Sequence, residues 1–160
     1  MIYLDEFVQS FTINEKLLAK AQLIRARVLH VRMDAFAKGL ELTLDLQGTV
    51  PAGNDLVDLE NGLRSELSLT HIRLFLSGFP KDKTTGAVMI YPLLPWVFSA
   101  VKRENPLLGT LVSSGRFGFA DNVLTGHLYH SLDADLEKDF VMRIDAFMHK
   151  YLEVQCPFVW

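Results

Sequence analysis

An α+β fold of two small units is what the amino-acid sequence predicts, and three observations carry that expectation. Leu40, Leu42, Leu44 and Leu46 alternate with Glu41, Thr43, Asp45 and Gln47, the period-two pattern of a strand with one dry face and one wet face. Leu56, Leu59, Leu63 and Leu67 recur at helical spacing, with Asp58, Glu60, Arg64 and Glu66 on the other side. Residues 78–86 read Gly-Phe-Pro-Lys-Asp-Lys-Thr-Thr-Gly, a polar, turn-forming stretch that divides the chain. The expected organisation is ββαβ with a leading helix over residues 1–78, a linker over 79–90, and an ααββαβ unit over 91–160, open to truncation at its end.

Each element has a local reason. The stretch from Tyr3 to Gln22 reads as helical, with Asn14-Glu15 able to start a short helix through Leu17, Leu18 and Ala21. Ile24, Val28, Leu29, Val31 and Met33 are strand formers interrupted by Arg25, Arg27 and Arg32. A turn over 34–39, with Gly39 supplying a positive φ, joins that run to the leucine strand as an antiparallel hairpin. Asn54 or Asp55 is placed to cap the next helix, and Ile72, Leu74 and Leu76 alternate in the strand after it. In the second unit, Pro92 and Pro95 fit the first turn of a helix running to Glu104, and Asn105-Pro106 opens another through Leu107, Leu108 and Leu111. Residues 115–120 and 123–130 read as a hairpin turning at Asp121-Asn122. An acidic start at Asp133, Asp135 and Glu137 opens the last helix, which carries Leu136, Phe140, Ile144, Phe147 and Tyr151. A final strand runs from Val154 to Trp160, and an apolar run that stops on a bare Trp reads as the edge of a fragment.

Composition narrows the function. The chain has 160 residues, 49% hydrophobic and 22% charged, which favours a packed core over disorder. Its 16 Lys and Arg against 19 Asp and Glu leave a net charge of −3, so autonomous phosphate-driven DNA binding is not expected. A local basic patch at Arg25, Arg27 and Arg32 stands against the reading of three solvated strand residues, and the solvated reading is preferred. One cysteine, Cys156, rules out an internal disulfide and a Cys-rich zinc site, and it fits a reducing, cytoplasmic compartment. The first residues have no basic start of a signal peptide, and no apolar run is long enough to span a bilayer.

Catalytic patterns are missing. No phosphate-binding glycine motif occurs. His127 and His130 are three apart on a strand and so fall on opposite faces, unable to chelate together. Asp133-Ala134-Asp135 resembles a metal-binding pair, but acidic residues at a helix start are expected for dipole reasons. Ser113-Ser114-Gly115 lacks the preceding glycine of a nucleophile elbow. Gly115-Arg116-Phe117-Gly118 matches a Gly-x-x-Gly backbone clamp, although it runs into a strand where such clamps join two helices. Phe117 and Phe119 alternate and are candidates to stack bases, with core packing as the competing reading. Candidate binding residues are therefore Arg116, Phe117, Phe119 and Trp96, with no catalytic residue, metal or cofactor expected.

The order of these elements resembles a known family. Ala21-Gln-Leu-Ile-Arg-Ala-Arg-Val-Leu-His-Val through Leu40-Glu-Leu-Thr-Leu resembles the opening of the Gram-positive PolC-type DNA polymerase III α subunit. Val50-Pro51, Leu56-Val57-Asp58-Leu59 and His71-Ile72-Arg73-Leu74 follow in the same order. Tyr91-Pro92, Pro95-Trp96-Val97, then Asn105-Pro106-Leu107-Leu108 and Asp121-Asn122-Val123-Leu124 are similar to the family's second unit. The likeness covers roughly residues 20–158 and rests on order and spacing. Trp96 lies several residues beyond Tyr91 where the family often has the two adjacent, and the 80–88 loop is reshaped. The resemblance implies a KH-like second unit, similar to the polymerase-binding domain of the clamp-loader τ subunit. It implies a non-catalytic front segment of a DNA-directed DNA polymerase with proofreading exonuclease, one that contacts other replisome proteins or helps to place template DNA. Expected partners are replisome proteins such as the τ subunit, with weak DNA contact, no membrane and no small-molecule substrate. A free-standing domain binding single-stranded nucleic acid or a protein is the alternative.

Overall fold

The structure is a computed structural model. It describes residues 1–80, 86–113, 115–120, 123–127, 135, 138, 139, 142, 143, 146, 150, 158 and 159. The chain divides into two compact units, Met1–Lys81 and Asp82–Trp160. Helix and strand mix in both, as the α+β expectation has it.

The first unit opens with β1 (Ile2–Tyr3), α1 (Leu4–Gln9), α2 (Glu15–Ile24), β2 (Arg27–Asp34) and β3 (Gly39–Asp45). It closes with α3 (Gly53–Glu66) and β4 (His71–Ser77). The sheet order is β1-β2-β3-β4. β2 and β3 form the expected antiparallel hairpin, whereas β3 and β4 run parallel because α3 carries the chain back across one face. Leu40, Leu42, Leu44 and Leu46 are fully buried, and Ile72, Leu74 and Leu76 join them in register. Leu56, Leu59 and Leu63 of α3 and Leu17, Ala21 and Ile24 of α2 are buried as well. This is the core that period-two and helical spacing predict.

Several local readings are corrected. The predicted leading helix breaks into α1 and α2 around Thr12 and Ile13, because Asn14 caps α2 by accepting from the N–H groups of Lys16 (3.1 Å) and Leu17 (3.3 Å). In the hairpin turn, the positive φ belongs to Lys38 (50°) and not to Gly39. Gly39 is instead the strand residue against which the His71 ring lies, where a Cβ would stand. α3 starts before the expected caps: Ala52 is its N-cap without a side-chain bond, and Asp55 falls inside the first turn. There the Asp55 carboxylate meets Lys20 of α2 at 2.7 Å, a partner the local pattern did not reveal. Glu60, expected on the wet side of α3, is buried at 2% exposure.

The second unit opens with α4 (Gly86–Glu104) and α5 (Pro106–Ser113). Pro92 and Pro95 lie inside α4, so the linker expected over 79–90 ends earlier than its pattern implied. α5 packs on α4 through Gly109, where a Cβ would collide with the Lys102 backbone. β5 (Arg116–Ala120) and β6 (Val123–His127) are antiparallel, and β7 (Phe158–Val159) joins β6 in parallel, giving the order β5-β6-β7. The predicted turn at Asp121-Asn122 lies outside the described residues, as do His130, Asp133, Ala134 and Cys156. The described positions between 135 and 150 are helical, and Arg143 pairs with Asp139 at 2.9 Å one turn away.

Candidate interaction surface

Of the predicted binding residues, Trp96 lies on α4, and Arg116, Phe117 and Phe119 lie on β5. Trp96 is 1% exposed on α4, beside the buried Leu93, Val97, Ala100 and Val101, so it is a packing residue and offers no surface. A large aromatic at helical spacing from aliphatics has core burial as its simplest outcome. Arg116 is exposed and stands opposite His127, which is exposed too. Phe117 stands opposite Gly126 and Phe119 opposite Leu124, one position out of step with Arg116. On a pleated strand that places the arginine at positions of one face and the two phenylalanines at positions of the other. Arg116 and the two phenylalanines thus occupy alternate positions of β5.

A surface that local patterns did not single out lies on β2. β1 covers it only at Arg27 and Val28. A bulge follows, in which Leu29 is the extra residue between the Val28–Leu44 and His30–Thr43 pairs. From Leu29 to Asp34, among the described residues, β3 is the sole neighbouring strand, and the other rim of β2 is open. Val31 and Met33 sit opposite Leu42 and Leu40, at positions of the core face, yet they are 42% and 54% exposed. Leu29 is similarly exposed, and Phe36 in the turn beyond is fully so. Every residue from Leu29 to Lys38 is exposed. A rim of free backbone groups edged with apolar side chains is the feature that folded proteins normally cover or blunt.

Charges are arranged across the other face of this sheet. Glu41 lies between Arg32 (3.8 Å) and Arg73 (3.7 Å), from the strands on either side. Arg25, Arg27 and Arg32 are all exposed, as the preferred reading of three solvated residues has it. Arg32 leans to Glu41, and Arg27 donates to the Tyr3 hydroxyl (3.0 Å) with its guanidinium 5.1 Å from the ring centre. That contact holds the Tyr3 phenol below its ordinary range. Arg25 caps α2 in the left-handed region and lines a groove of about 520 Å³ with Tyr3, Asp5, Glu6, Gln22 and Gln47. Both carboxylates in the groove serve the start of α1, since Glu6 accepts from the Tyr3 N–H and Asp5 from the Glu6 N–H.

Among the described residues, no group of three His, Cys, Asp or Glu side chains is placed to hold a metal ion. No helix of the described residues is long and apolar enough to cross a membrane. No protein-family model matches this chain, and no curated protein matches it.

Proposed function

We propose that the chain is a non-catalytic protein-interaction module, the front segment of a replicative DNA polymerase of the PolC type, which contacts other replisome proteins. The observation that carries the interaction reading is the open β2 rim with Leu29, Val31, Met33 and Phe36 exposed along it. Such an edge costs solubility unless something uses it. The replicative context rests on the order and spacing of elements from Ala21 to Phe158, including Tyr91-Pro92, Asn105-Pro106 and the strand pair that follows. The alternative, a single-strand nucleic-acid binder, loses the support of Trp96, which is buried.

The test is a binding titration of the purified chain against individual replisome proteins, beginning with the clamp-loader τ subunit. Binding to one of them, with no affinity for single-stranded DNA at low salt, supports the reading. DNA binding that weakens steeply with salt, and no protein partner, overturns it.

A further inference from the structure

We draw no further inference here: the strongest candidate, the β2 rim from Leu29 to Asp34 that is open among the described residues with Val31 and Met33 half-exposed beside it, is an unpartnered edge whose charges are already engaged within the first unit, Arg32 by Glu41 and Asp34 by its own turn, and nothing in the structure shows what covers it.

Discussion

Leu42 is fully buried between the β2 and β4 neighbours of β3, so its truncation removes both transfer energy and packing. Leu42→Ala is expected to destabilise the first unit by about 2–5 kcal/mol, measured by urea unfolding. Gly109 poses the opposite problem, since any Cβ there meets Lys102, whose N lies 2.8 Å from it. Gly109→Ala is expected to cost about 1–3 kcal/mol through overpacking, despite the better helix propensity of alanine. Lys38 carries a φ of 50°, strained for a side chain with a Cβ, and it is exposed. Lys38→Gly is expected to stabilise the hairpin by roughly 0.5–1 kcal/mol, seen as a rise in the urea midpoint at constant slope. The leucine could be picked out from alternation alone, because alternation is local. The two backbone positions could not, because a turn's φ and a helix's closest neighbour are set by what lies across the fold.

α2 is held at its start by more than its own cap. Asn14 caps it and also donates to Glu66 Oε1 at 2.8 Å, while Thr12 donates to Glu66 Oε2 at 2.9 Å. These two bonds tie the α1–α2 connection to the end of α3, and they hold the Glu66 carboxyl below its ordinary 4.5, Asn14 being the larger cause. A carboxylate depressed on folding adds stability that is present above the unfolded pKa and is lost as pH falls through the folded one. Glu66→Gln is therefore expected to flatten the acid limb of the stability curve below about pH 4.5 and to leave the neutral region less stable by a uniform amount. Thermal unfolding across that pH range measures it. Asn14→Ala loses the cap, about 1 kcal/mol in ordinary helices, and the bond to Glu66 with it. The cap was readable from Asn14-Glu15 preceding an apolar run. Its tie to a residue 52 positions away was not, because nothing local marks which end of a distant helix arrives there.

At the scale of the molecule, the division at residues 81 and 82 falls inside the polar stretch that follows Gly78. Residues 1–81 expressed alone are expected to unfold cooperatively in urea, with the Leu40–Leu46 strand protected from exchange. A chain that collapses without a cooperative transition would falsify the independence of that unit. What the sequence by itself determined is the set of elements: the β2–β3 hairpin, the amphipathic α3, the alternating β4 and the helix pair around Asn105-Pro106. Those follow from periodicity, capping and turn chemistry, which act over a few residues. Tertiary structure alone decided which strand lies at the edge, that β4 joins β3 in parallel, and that Trp96 and Glu60 are buried. Exposure and neighbourhood depend on contacts between residues far apart in the chain. The apolar residues of β2 read only as strand formers in the sequence, and among the described residues β1, two residues long, pairs with β2 only at Arg27 and Val28.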